Sequence, residues 1–89
     1  MSSLSRTVQI VNALGLHARA AARLAAVAGR ASGPVWLIRE TERVDATSII
    51  DILTLACPPG SELTIEIERP EDRPILDQLV QLVGDGFGE

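Results

Sequence analysis

At 89 residues and 9.5 kDa, residues 1–89 have the material for one small domain with a single core. A hydrophobic content of 46% and a mean hydropathy of +0.21 exclude a disordered polypeptide, and two aromatics, Trp36 and Phe87, are too few for a base-stacking nucleic-acid module. A net charge of −4, with every basic residue an arginine and no basic run, argues against nucleic acid and anionic lipid as partners.

Thr7-Val8-Gln9-Ile10-Val11 alternates in polarity and predicts a strand with Val8 and Ile10 inward. Residues 12–16 form the loop into a first helix over residues 18–28, whose Ala21, Leu24, Ala25 and Ala28 share one face. Gly29 is placed to end it, and Ser32-Gly33-Pro34 is turn material. Val35-Trp36-Leu37-Ile38 reads as a second strand, followed by a charged turn over residues 39–43 and a brief strand around Val44. Ser48-Ile49-Ile50-Asp51 fits a capping box opening a short second helix, with Ile49, Ile52 and Leu53 inward. That helix must stop before Pro58-Pro59-Gly60.

Leu63-Thr64-Ile65-Glu66-Ile67-Glu68 is the cleanest strand, apolar on one face and polar on the other. Asp72 or a neighbour caps a third helix, with Pro74 in its first turn, Ile75, Leu76, Leu79, Leu82 and Val83 along its stripe, and Gly84 at its end. Gly86-Phe87-Gly88-Glu89 reads as a loosely held tail. The order β-α-β-β-α-β-α predicts an α+β open-faced sandwich, a four-stranded antiparallel sheet covered on one face by three helices. Met1 to Arg6 is polar and no apolar run reaches the ~20 residues of a membrane span, so a cytoplasmic chain free of membrane contact is expected. The lone Cys57 has no disulfide partner and suits a reducing compartment as a small buried hydrophobe, and Trp36 belongs to the core or the sheet surface.

The chemistry concentrates in the first loop and helix. His17, the only histidine, stands at the start of the first helix, where unpaired amides and the positive dipole end favour an anion. Arg19 in the same turn adds a guanidinium suited to phosphate oxygens. A free imidazole is mostly neutral near neutral pH, leaving a lone pair for in-line attack on phosphorus. Arg23, one turn on, either contacts an acidic partner or simply keeps the helix soluble; both readings stand. Ser48 is a helix cap, and at least one of Ile49 and Ile50 must be exposed on so short a helix, reading as a docking patch. One histidine and one cysteine, with no second catalytic group paired to either, disfavour a classical enzyme.

Gly15-Leu16-His17-Ala18-Arg19 resembles the G-L-H-x-R segment of the HPr-like phosphocarriers of the bacterial phosphotransferase system. Asp45-Ala46-Thr47-Ser48-Ile49-Ile50, Leu53-Thr54-Leu55-Ala56 and the Pro-Gly turn are similar to further family blocks, so the resemblance spans essentially the whole chain. It implies that His17 takes phosphate on Nδ1 from enzyme I and passes it to an EIIA-type protein, while Arg19 steadies the phosphoryl group. It also implies Ser48 as the serine modified by an HPr kinase/phosphorylase, and the family's βαββαβα fold. Ala20 stands where many sugar-branch carriers have proline, keeping an amide donor, and the segment looks more like the nitrogen-related NPr-type branch and some proteobacterial carriers. Asp51 gives the face around Ser48 an acidic group that many relatives lack. The expected partner surface comprises Ala18, Ala20, Arg23, Ile49, Ile50 and Asp51. A monomer with no cofactor and no metal is expected. Two functions follow: a phosphorelay carrier, favoured by His17 with Arg19, or a regulatory binding module controlled at Ser48.

Overall fold

The computed structural model describes residues 4–89, so the first three residues of the polar opening segment lie outside it. The order is β1 (Ser5–Gln9), α1 (Ala18–Ala28), β2 (Val35–Arg39), β3 (Glu42–Asp45), α2 (Ile49–Thr54), β4 (Glu62–Ile67) and α3 (Arg73–Gly84), as the sequence pattern predicts. The four strands form one antiparallel sheet in the order β1-β4-β2-β3. Leu63, Ile65 and Ile67 of β4 and Val35 and Leu37 of β2 turn to one face, where they are buried with Leu24, Ile52, Leu76 and Leu79 of the three helices. The alternation in β4 thus does what it implied: one face builds the core and the other meets water.

The open face carries its own polar network. Thr7 and Thr64 share a hydroxyl hydrogen bond at 3.0 Å, and Arg43 pairs with Glu66 at 2.8 Å while its guanidinium lies 4.7 Å above the Trp36 ring. The Trp36 indole donates to Glu68 at 2.7 Å, so Trp36 belongs to the sheet surface.

α1 occupies the predicted residues, and its buried face is unusually small: Ala20, Ala21, Leu24 and Ala28. Alanines let its backbone lie close to its neighbours. Ala20, expected to face a partner, is fully buried, because helical geometry turns it to the same side as Leu24 and Ala21. β1 begins and ends two residues earlier than expected. Its ladder with β4 stops at Gln9, and Ile10 instead bonds the turn before β4, through Ser61 O at 2.9 Å and Gly60 N at 2.7 Å. Ile10 is therefore buried outside the strand, while Val11 is exposed.

Three other expectations need correction. α2 spans fewer than two turns, so only Ile52 of it is buried in the core; Ile49 and Leu53, expected inward, are 41% and 39% exposed. Its capping box is half formed: Ser48 Oγ accepts from the Asp51 amide, but the Ser48 amide donates to Asp45 O and not to the Asp51 side chain. Asp72 precedes α3 but does not cap it. Its buried carboxylate instead accepts the amides of Ser32 and Gly33 at 2.8 and 3.0 Å and the Ser32 hydroxyl at 3.0 Å, tying the turn after α1 to the start of α3.

The Ser32 amide bond, with the Gly33 amide, the Ser32 hydroxyl and the Arg69 charge, holds the Asp72 carboxyl below its usual range against the opposing cost of burial. A depressed folded value means this tie stabilises the fold above the unfolded aspartate range of ~3.9 and is lost as pH falls through the folded value. In urea unfolding, Asp72→Asn is therefore expected to be less stable than the parent at neutral pH. The gap between the two should narrow as pH drops below about 4; an unchanging gap would exclude the tie as the source.

Candidate functional site

The loop over residues 12–17 is locked before it reaches the helix. Gly15 has φ +66°, and a Cβ built on it would lie 2.6 Å from the carbonyl oxygen of Cys57. Only glycine meets both demands. The next amide, Leu16 N–H, donates to that same carbonyl at 2.9 Å, and the Leu16 side chain is buried beside it. Cys57 is a buried residue whose thiol burial pushes up, the small hydrophobe expected. His17 then follows as the N-cap of α1, with extended backbone (φ −86°, ψ −179°), and its carbonyl accepts the Ala21 amide at 2.9 Å.

The imidazole itself takes the part usually played by serine or aspartate at such a cap. Nδ1 accepts the backbone amide of Arg19 at 3.2 Å. Nε2, on the far side of the ring, contacts a carboxylate oxygen of Glu89. The other Glu89 oxygen accepts from the Asn12 amide nitrogen at 3.0 Å, and that nitrogen also donates to Gly15 O at 2.8 Å. Two acceptors face the Asn12 nitrogen, which fixes the orientation of its amide and leaves Oδ1 buried without a partner, a cost of about 1–3 kcal/mol. Desolvation pushes the Glu89 carboxyl up, but the hydrogen bonds from Asn12 and His17 and the charges of His17 and Arg19 outweigh it, so the net shift is downward.

Glu89 reaches this position because the tail is folded, contrary to the expectation of a loose end. Residues 86–88 form a 3-10 turn in which Phe87, at φ 60°, is fully buried, and Arg23 donates to the Phe87 carbonyl oxygen. Gly86, at φ +63°, turns the chain from the end of α3 toward Asn12. Arg23 thus holds the protein's own tail, a role neither sequence reading gave it. Asn12, Phe87 and Glu89 were missed as site residues. The available signal was compositional: one of only two aromatics, set between glycines, is an anchor and not a solvated end.

The remaining predicted residues divide between two neighbouring elements. Ala18 and Arg19 are exposed on the first turn of α1. On α2, which packs against α1, Ser48 is half-buried, Asp51 is exposed, and Ile49, Ile50 and Leu53 form an exposed apolar group with Ile50 the most open at 75%. The structure brings His17 and Arg19 together at one helix end. It sets Ser48 at the cap of the adjacent helix, outside the hydrogen bonds of His17. No helix among the described residues is long and apolar enough to cross a membrane.

A family model described as the PTS HPr component phosphorylation site matches residues 4–85. The phosphocarrier protein HPr of Cupriavidus necator is 41% identical over 86 residues, covering 97% of each chain. The phosphocarrier protein NPr of Shewanella violacea is 33% identical over 89 residues, covering 100% of this chain and 98% of that one. The solved structure of HPr-C-His from Thermoanaerobacter tengcongensis has a TM-score of 0.90 at 31% identity, covering 100% of this chain and 98% of the other. A one-sided antiparallel sheet under three helices, with G-L-H-x-R at the first helix start, is the architecture of the small phosphocarriers. The chain belongs to the HPr family of the phosphotransferase system.

The folded tail makes a direct prediction. Because Phe87 is fully buried, Phe87→Ala should lower unfolding stability by about 3–5 kcal/mol, read by urea titration. A loss below about 1 kcal/mol would mean the tail is not anchored in the core.

Proposed function

We propose that this protein is a phosphocarrier in which His17 Nδ1 accepts a phosphoryl group from phosphorylated enzyme I and passes it to an EIIA-type protein. The observation that carries the reading is the orientation of the ring: Nδ1 faces the first turn of an eleven-residue helix, within 3.2 Å of the Arg19 amide. The Arg19 amide releases Nδ1, whose freed lone pair forms the N–P bond as the bond from phosphorus to the donor breaks, its electron pair staying with the donor. A phosphoryl group on Nδ1 then lies beside the early amides and the positive end of the α1 dipole, which favour anionic oxygens. The Arg19 guanidinium, exposed in the same turn, adds a mobile positive charge. A solvent-accessible site stabilises the group without enclosing it, which suits onward transfer over hydrolysis by the protein itself.

The docking surface in this reading joins the exposed first turn of α1, at Ala18 and Arg19, to Ile49, Ile50 and Asp51 of α2. An exposed apolar group beside a transfer site excludes water on docking and gives two successive partners the same landmark. Ser48 fits a regulatory role within it. Phosphate there would add charge at the start of α2, next to Ile49 and Ile50 and against Asp51, and so change the match to a partner. This reading carries with it a cytoplasmic monomer, one domain over residues 1–89, acting without a cofactor. Whether the downstream acceptor serves sugar uptake or nitrogen regulation is tested by offering EIIA-type proteins of each kind.

Incubation of the purified protein with enzyme I and phosphoenolpyruvate should add the mass of one phosphate that acid removes. His17→Ala should abolish the gain and Ser48→Ala should keep it. Stable ATP-dependent labelling at Ser48, with no labelling by enzyme I, would replace the carrier reading by the regulatory module. For the docking surface, Ile50→Glu should slow transfer from enzyme I by about tenfold, or about 1.4 kcal/mol, with an unchanged unfolding midpoint. Wild-type kinetics in that variant would remove α2 from the interface.

A further inference from the structure

Glu89 has no place in the chemistry just given, and it lies beyond the residues matched by the family model. Yet four separate features of the chain set its carboxylate beside His17. Phe87 is buried in the core, Arg23 holds the Phe87 carbonyl, Gly86 turns the backbone at positive φ, and Asn12 donates to one Glu89 oxygen at 3.0 Å. The other oxygen faces Nε2 of the imidazole. The His17 side chain is only 25% exposed, and that of Glu89 20%, so the pair is partly shielded from water.

The two ring nitrogens therefore meet opposite kinds of neighbour. Nδ1 faces a backbone N–H, which can only donate, so this nitrogen must carry the lone pair. Nε2 faces a carboxylate, which when ionised can only accept, so this nitrogen must carry the proton. One tautomer satisfies both contacts; the other would set N–H against N–H and lone pair against carboxylate. A carboxylate that selects the tautomer of a reactive imidazole is a known physical device for directing one ring nitrogen at its target.

We propose that Glu89 is a positioning residue for phosphoryl transfer: it holds the proton on Nε2 of His17, leaving Nδ1 as the nucleophile. This inference rests on the reading of His17 as the phosphoryl acceptor. When the Nδ1 lone pair bonds phosphorus, the ring becomes a phosphoimidazolium with its remaining proton on Nε2, and the Glu89 carboxylate lies against that developing positive charge. No proton has to move during the step. The Nε2 proton stays on the ring throughout, so the imidazole that leaves when the group is passed on is neutral. Because one Glu89 oxygen serves Asn12 and the other serves His17, a neutral amide cannot replace it fully: glutamine has one acceptor oxygen for two donors.

Two measurements on the full chain test this. The first is long-range ¹H–¹⁵N NMR of the imidazole at about pH 8, where a free imidazole is neutral. The parent protein should show the Nε2–H tautomer alone, Glu89→Ala a mixture containing the Nδ1–H form, and Glu89→Gln an intermediate population. The second is the initial rate of phosphorylation by enzyme I and phosphoenolpyruvate, which should fall on the order of tenfold in Glu89→Ala and less in Glu89→Gln. An unshifted tautomer in Glu89→Ala overturns the proposal. So does a shifted tautomer with an unchanged rate, or a lowered rate with an unshifted tautomer, which would place Glu89 in docking instead. The NMR result does not depend on phosphorylation, so failure of the parent protein to accept phosphate would strike the carrier reading and leave the tautomer finding standing.

Discussion

The contact between Gly15 and the Cys57 carbonyl is the constraint on which the site depends. An N-cap side chain is only as well placed as the loop that delivers it, and loops of this length are ordinarily mobile. Here the carbonyl of residue 57 accepts Leu16 N–H at 2.9 Å and leaves no room for a side chain at residue 15. Ile10 adds two further bonds, to the turn that precedes β4. The loop before α1 and the loop before β4 are therefore one rigid unit, and the strand β4 that anchors them is the central pairing partner of both β1 and β2. Sheet, loop and helix start move together, and His17 is fixed by the sheet although it lies outside it.

A second closure comes from the other end of the chain. The tail after α3 packs its one phenylalanine into the core and returns a carboxylate to the site, against the Asn12 amide and the imidazole Nε2. Arg23 belongs to this closure: it satisfies a carbonyl of the tail. The imidazole is thus approached from two directions, by a helix end and a tail, each presenting a single polar group. One ring nitrogen faces a backbone amide and the other a carboxylate, so each has a defined neighbour.

Much of the fold was legible in residue order because its periodicities are unambiguous. Period two in residues 63–68 and the helical spacing of Ala21, Leu24 and Ala28 reflect local geometry that tertiary packing had no reason to override. The errors fall where a side chain finds a partner far away in sequence. Asp72 sits where a cap belongs, but the amides of Ser32 and Gly33 offered it more hydrogen bonds than the helix start did. Ile49 and Leu53 have inward-looking spacing, but a helix of six residues presents only one side to a core already filled by Ile52 and Leu55.

The sequence alone established the order of elements, the one-sided sheet and the position of its single histidine at a helix start, because each follows from short-range patterns: polarity alternation, helix propensity and a histidine between a glycine and a helix. It also placed Arg19 beside that histidine, since two residues of helix leave little freedom. The partner on the other side of the ring was settled by folding. Glu89 lies 72 residues away from His17, at the end of a glycine-rich segment whose local pattern reads as a loosely held tail. Only the burial of Phe87, possible once α1, α3 and the sheet have enclosed a common core, gives that segment a defined path and brings its carboxylate to Nε2.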